Sequence, residues 1–465
     1  MDARPPLSLA DNRYARRVLL CLLYFTQGFP WGFATVALLA ILSEAGHDKA
    51  QTATVTAMAI LPWSFKFVWA PMIDSLRFPA MGLRRPWLMF AQTAMAATLL
   101  GAVYTGALES TGTLTWIAWV FFIHNCFASM QDVAADALAV DLLDDSERGR
   151  VNGFMWGSKL AGIAVGGAGM GFVAARWGIP TAVIIQAVMV IAVLAVVVAW
   201  PERAGEKRLP WSPGQAQGVG AARDFGPLVT LKELKRALSN RTTATLLIFG
   251  IIHVSTEGLF YPLTTEFFVQ GLGWSAERFS RAQGTWGVLG ELVGALAGGY
   301  LCDRYGRRRM AAAGLTVLAA SMGGFGLLFA GSFDPDGGHV VLLPAFKGAM
   351  AFSTVAMFSL YMKVSWTAAA ATQFTLYMAM GNLGYALGAK LLTWLDLAGY
   401  DLRLDELYML GGIMPLLALA LLIGLDPDGV ERRKIAEREA LAAKAMTKAM
   451  TKAMTRATTR APAAG

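Results

Sequence analysis

Histidine occurs only four times in 465 residues and cysteine three times, which leaves little from which to build a metal centre. Cys21, Cys126 and Cys302 fall within or at the ends of apolar stretches, so no disulfide framework is expected. No G-x-x-x-x-G-K-[ST] stretch occurs anywhere, which argues against an ATP-driven machine. Neither a cofactor nor a metal is called for. No cleavable signal peptide is expected either: "ARRVLLCLLYFTQGFPWGFATVALLAIL" is too long an apolar stretch and has no small-residue cleavage site before a soluble domain. Charge is scarce as well, at 15% of the residues.

Apolar residues fill the gap. They make up 55% of the chain, with a mean hydropathy of +0.48, which marks an integral membrane protein. Runs long enough to span a bilayer lie at about 17–43, 50–73, 86–108, 114–141, 151–175 and 178–200, then at about 243–268, 277–302, 308–331, 339–363, 368–395 and 404–425. They are continuously apolar rather than alternating, so helices are expected and a transmembrane barrel is not. The fold class is an all-α membrane protein with 12 transmembrane helices in two six-helix pseudo-repeats, 1–200 and 243–425, joined by a polar loop at 201–242 and followed by a basic tail at 426–465.

Lysine and arginine set the orientation. With a cytoplasmic N-terminus, that side receives Arg4, Arg13, Arg16, Arg17, Arg77, Arg84, Arg85, Arg148, Arg150 and the group from Arg304 to Arg309, while the other side receives only Lys49, Arg176, Arg278, Arg281 and Arg403. This is the positive-inside pattern, and it puts both termini in the cytoplasm. It also accounts for the net charge of +8 without any nucleic acid. In the tail, Lys444, Lys448, Lys452, Arg456 and Arg460 recur every four residues. Such a stripe suits anionic lipid headgroups if helical, and the same stretch equally reads as a low-complexity disordered tail.

An internal repeat is visible. "APMIDSLRFPAMGLRRPW" and "GGYLCDRYGRRRM" each carry an aspartate at the end of a span (Asp74, Asp303), then a glycine and clustered arginines, six spans apart. Two related halves are the usual plan of a secondary transporter. The second loop resembles the signature loop of the major facilitator superfamily. Within it, "KFVWAPMIDS" at 66–75, "SMQDVAADALAVDLLDDSERG" at 129–149 and "TAAAATQFTLYMAMGNLG" at 367–384 resemble the AmpG-like branch, the muropeptide permeases and their relatives. Some of these have two further spans where this chain has its basic tail. The resemblance implies a monomeric secondary transporter of the bacterial inner membrane that moves a small anionic molecule, with Asp74, Arg84, Arg85, Asp303, Arg304 and Arg307 as gating elements.

Ionisable residues within spans are costly and mark function. On span 4, Asn125, Ser129, Asp132 and Asp136 fall within about a 60° sector, with Gln131 beside them, whereas Asp141 points away. Counting about 1.5 Å per residue, Asp136, Lys66, Lys159 and Asp132 lie between about 8 and about 14 Å from the cytoplasmic ends of spans 4, 2 and 5. Opposite charges on three helices thus share a layer, either as a proton and substrate site or as a structural brace of the first half.

The second half has a comparable set. His253, Glu257 and Tyr261 follow one another by single turns of span 7, Glu291 lies near the middle of span 8, and Lys347 on span 10 is at the depth of Glu257 and is expected to pair with it. His253 beside Glu257 is a titratable candidate, or a satisfied packing histidine. Lys66, Lys159 and Lys347 offer cations to an anionic substrate. Gln27 at the "QGFPWG" break, Thr372 and Gln373 offer hydrogen bonds, and Trp156 and Trp69 offer ring faces. Gly290, Gly294 and Gly298 on span 8, with Gly162, Gly166, Gly167 and Gly171 on span 5, let helix backbones approach closely, either as sliding faces between spans 5 and 8 of the two halves or as static close packing.

The reading is a proton-coupled importer of an anionic muropeptide, with a siderophore or another anionic small molecule as the alternative cargo. A membrane-embedded enzyme or sensor would require a dense catalytic cluster or a soluble output domain, and neither is visible.

Overall fold

The computed structural model describes residues 8–69, 72–73, 78–106, 114–143, 145–214, 241–330, 335–364 and 370–425. Asp74, most of the 201–242 loop and the basic tail lie outside these residues, as do the side chains of Asp303 and Thr372.

Local chemistry sets the helix boundaries. Helix α1 (Arg13–Glu44) starts where the Asn12 side chain accepts the backbone N–H groups of Tyr14 and Ala15, satisfying donors that have no partner within the helix. It runs through Pro30 and widens into a π turn at Phe33–Ala37. Helix α2 (Lys49–Ser64) opens on a capping box between Asp48 and Gln51. Helices α3 (Arg85–Tyr104) and α4 (Leu114–Leu142) follow. Helix α5 begins at Asp145, passes a π turn at Val165–Gly169 and ends at Gly178, whose φ of +81° no side-chain-bearing residue adopts easily. Helix α6 (179–199) starts there, with Pro180 in its first turn.

The second set is α7 (Arg241–Gly271), α8 (Ala276 through a π turn at Gln283–Gly287 to Tyr305), α9 (Arg307–Ala330), α10 (Pro335–Val364), α11 (Ala370–Leu397) and α12 (Leu404–Ile423). Seven helical stretches among the described residues are long and apolar enough to cross a membrane.

The packing repeats. Helix α1 lies on α5 as α7 lies on α11, α2 on α4 as α8 on α10, and α3 on α6 as α9 on α12. Glycines bring the first of these pairs into backbone contact: a Cβ at Gly28 would sit 2.1 Å from the Lys159 carbonyl oxygen, and one at Gly258 1.9 Å from that of Tyr385. Here the structure corrects the expected sliding faces. Gly162 and Gly166 abut Phe25 and Phe29 of α1, and Gly290, Gly294 and Gly298 abut Pro344, Gly348 and Phe352 of α10, so these five positions serve packing inside a half. At Gly171 the expectation holds: it faces Ser280 of α8, and Gly284 of α8 faces Ala168 of α5.

Contacts between the halves gather at one end of the bundle. Lys49 pairs with Glu266 at 3.5 Å and Arg176 with Glu277 at 3.5 Å. The Ala276 amide donates to Glu44, and Gln270 Nε2 donates to the carbonyls of Ser43 and His47. Deeper down, Lys390 and Thr393 of α11 donate to Thr54 and Ala50 of α2, and Asn382 donates to the Trp63 carbonyl. A shared aromatic core seals this end: Phe260, Phe268, Phe279, Phe325 and Phe346 cluster with Ala40 and Ala53 of the first half, burying large apolar area.

Candidate functional site

Buried and half-buried charges lie in the interior between the helices. Lys66, in the 3-10 turn Lys66–Val68 that follows α2, pairs with Asp132 of α4 at 3.3 Å, and both side chains are nearly inaccessible. Two ions so placed avoid the cost of burial only by meeting each other. One turn further along α4, Asp136 accepts a hydrogen bond from Tyr24 of α1. The layer expected from depth counting thus forms, with Tyr24 as a member that the sequence reading did not single out.

Lys159 of α5 completes the layer differently. Its ammonium lies 5.3 Å from the Trp63 ring centroid and 5.2 Å from that of Trp156, within electrostatic reach of Asp132 and Asp136. It also senses Glu291 of α8. Opposite, Lys347 of α10 pairs with Glu291 at 3.1 Å and donates to the Tyr261 hydroxyl. This corrects the expected Glu257–Lys347 ion pair. The reason is that α8 packs closely on α10 through its glycines and brings Glu291 nearer to the ammonium.

Other candidates turn out to be engaged elsewhere. His253 is fully buried, its Nε2 2.7 Å from Ser353 Oγ and its ring stacked on Phe249, so it sits apart from Glu257 as a packing histidine. Gln373 donates to Thr243 and Tyr377, and Gln131 to the Leu23 carbonyl and Thr26, each tying two helices together. Asn125 accepts from Trp63 Nε1 at 3.4 Å, and Ser129 accepts from Trp69 Nε1 at 3.0 Å, so these two polar residues of α4 hold the indoles in place. Gln27 is buried, and neither of its amide atoms meets a partner among the described residues.

At the opposite end from the inter-half seal, Arg84 pairs with Asp141 at 2.8 Å. Arg85 is fully buried and donates to the carbonyls of Met81, Lys207 and Arg208, with Glu206 at 3.6 Å. Burial, and then the charge of Glu202, push the Glu206 carboxyl above its ordinary range. Glu202 itself accepts the amides of Leu83, Arg84 and Arg85 at 2.9, 2.7 and 2.6 Å. A carboxylate at a helix N-terminus neutralises both the free amides and the positive dipole end. No sequence signal pointed to "PERAGEKR" as the partner of the 2–3 loop. In the second half, Arg304 stands over Tyr305 and donates to Tyr300, and Arg308 reaches the Ile423 carbonyl. Replacing Glu202 by alanine is expected to lower stability by about 2 kcal/mol, read as a lower thermal midpoint of the purified protein. Glu202→Gln should cost less, since it keeps one acceptor.

Two matching sets of helices, sealed at one end around a buried layer of ion pairs, define a membrane transporter rather than an enzyme. The chain belongs to the Major Facilitator Superfamily, whose family profile matches residues 20–389. It is similar to the anhydromuropeptide permease of Escherichia coli K12, with 26% identity over 372 residues that span 79% of this chain and 72% of the permease. Its fold matches the crystal structure of a D-xylose-proton symporter with a TM-score of 0.66 at 13% identity, over 88% of this chain and 97% of that one. Against a crystal structure of the nucleoside transporter NupG the TM-score is 0.63 at 15% identity, over 88% and 99%. The AmpG-like resemblance and the placement in a bacterial inner membrane as a multi-pass protein agree with these relatives.

Proposed function

We propose that this protein is a proton-coupled importer that carries an anionic, cell-wall-derived anhydromuropeptide into the cytoplasm by alternating access. The observation that carries this reading is the position of Lys159, within reach of Asp132 in the first half and Glu291 in the second. Both ion pairs therefore flank one lysine between the two halves. These carboxylates exchange partners, or load and release a proton, as their surroundings change from wet to dry. The muropeptide assignment is supported by the similarity to the permease.

On this reading, 1–200 and 243–425 are six-helix halves joined by the 201–242 loop, all twelve helices span the bilayer, and both termini are cytoplasmic. The sealed end then faces the periplasm and the arrangement is the cytoplasm-facing one. Arg84 with Asp141, and Arg85 with the segment after α6, act as gating elements that brace the first half while it moves as a unit. The working species is a monomer.

Cells lacking their own permease and expressing this chain are expected to accumulate labelled N-acetylglucosaminyl-anhydromuramyl tripeptide, and a protonophore should abolish the accumulation. Good expression at the membrane without uptake would overturn the muropeptide reading and favour another anionic cargo, a siderophore first. Uptake that ignores the protonophore would overturn proton coupling.

A further inference from the structure

We infer that Lys159, held between the indoles of Trp63 and Trp156, is the residue that receives the negative charge of the transported molecule, and that Trp156 supplies the platform for the sugar ring beside it. The inference rests on the transport reading above and names the group that recognises the cargo. Of the three lysines Lys66, Lys159 and Lys347, two are already neutralised: Lys66 by Asp132 at 3.3 Å and Lys347 by Glu291 at 3.1 Å. Lys159 alone of the three lacks an ion pair among the described residues. Its contacts are the two ring faces, which attract a cation without cancelling its charge.

The neighbouring carboxylates are each engaged by another residue. Asp132 is engaged by Lys66 and Asp136 by Tyr24. Glu291 is engaged by Lys347. Trp63 is buried and tied to Asn125, so it fixes one side of the ammonium. Trp156, one turn before Lys159 on the same face of α5, is 45% exposed, so it keeps surface for a ligand after covering the lysine. The backbone is equally constrained, because Gly28 lies against the Lys159 carbonyl and leaves no space for α5 to shift.

An anchored cation beside an open indole matches one ligand chemistry, a sugar ring with a carboxylate on a short arm. The carboxylate meets Lys159 in a charge-assisted hydrogen bond, and the ring's C–H face lies on Trp156. Lys66 and Lys347, already paired, bring no net charge to the cargo.

The test uses the full-length purified protein and two probes: N-acetylglucosaminyl-anhydro-N-acetylmuramic acid, whose only charge is its lactyl carboxylate, and the corresponding lactyl amide. Wild type is expected to bind the acid about 100-fold more tightly than the amide. Lys159→Gln should bring the acid down to the affinity of the amide, with an unchanged size-exclusion profile showing that the variant is folded. Lys159→Arg should keep most of the preference. Equal weakening of both probes in Lys159→Gln, or a preference that survives it, would overturn the assignment while the transport reading stands. Wild type binding neither probe would overturn the muropeptide reading, and this inference with it.

Discussion

Replacing Asp132 by asparagine is expected to abolish gradient-driven uptake while the protein still folds and reaches the membrane. Asparagine keeps the shape and an acceptor for Lys66, so the packing of α4 on the turn after α2 survives. What disappears is the exchangeable charge. Lys66→Ala is the complementary change and leaves Asp132 as a buried, uncompensated carboxylate, which costs about 3–5 kcal/mol where a partner is removed. Uptake should fall, and the Lys66→Ala/Asp132→Asn double variant should recover part of the loss because no lone ion remains. Uptake per folded molecule and the amount of folded protein must be measured together. An absent or misfolded Asp132→Asn protein would make the pair a structural brace, and strictly additive losses would remove the coupling between the two residues.

A second large effect is expected far from any charge. Gly258→Val should yield almost no folded protein, because even a Cβ at that position would lie 1.9 Å from the Tyr385 carbonyl oxygen, and the obstacle is backbone rather than a movable side chain. Helices α7 and α11 would have to separate along their length, opening gaps in an interior that tolerates few. Gly28→Val should behave alike, since it would drive α1 off α5 at Lys159. Gly299→Val is the control: nothing lies within 4 Å of a Cβ there, and normal amounts are expected. Size-exclusion profiles of fluorescently tagged variants in detergent separate the outcomes. A folded Gly258→Val protein would mean that the close approach of α7 and α11 is dispensable.

Much of the charged layer was legible in the chain itself. Rise per residue in a helix is constant, so counting from span ends placed Lys66, Lys159, Asp132 and Asp136 at one depth, and the structure brings them together. The same counting matched Glu257 with Lys347 and was misled, because depth says nothing about azimuth. Lys347 had two carboxylates at reachable depth, and the close packing of α8 on α10 selected Glu291. Tyr24 escaped notice since a lone tyrosine in an apolar run carries no pattern, and its role comes from α4 lying across from it. Glu202 and Glu206 were read as loop polarity, for the helix end they serve is more than 100 residues earlier. Gly162 and Gly290 were correctly marked as close-approach positions and assigned to the wrong neighbours.

The amino-acid sequence by itself determined the environment, the helical class, the repeat and the depth of each charge. These follow from hydropathy, loop arginines and the helical rise, all properties of a segment taken alone. Only the tertiary structure decided which charge neutralises which, which helix each glycine stripe meets, and at which end the halves are sealed. Those depend on the rotation of each helix about its axis and on its neighbours. A difference of a few ångströms between candidate partners decides a pairing in a low-dielectric interior, and no single segment encodes it. Lys159 shows the division: its depth was readable in the sequence, while the fact that no carboxylate of the described residues forms an ion pair with it emerged only once the neighbouring helices were in place.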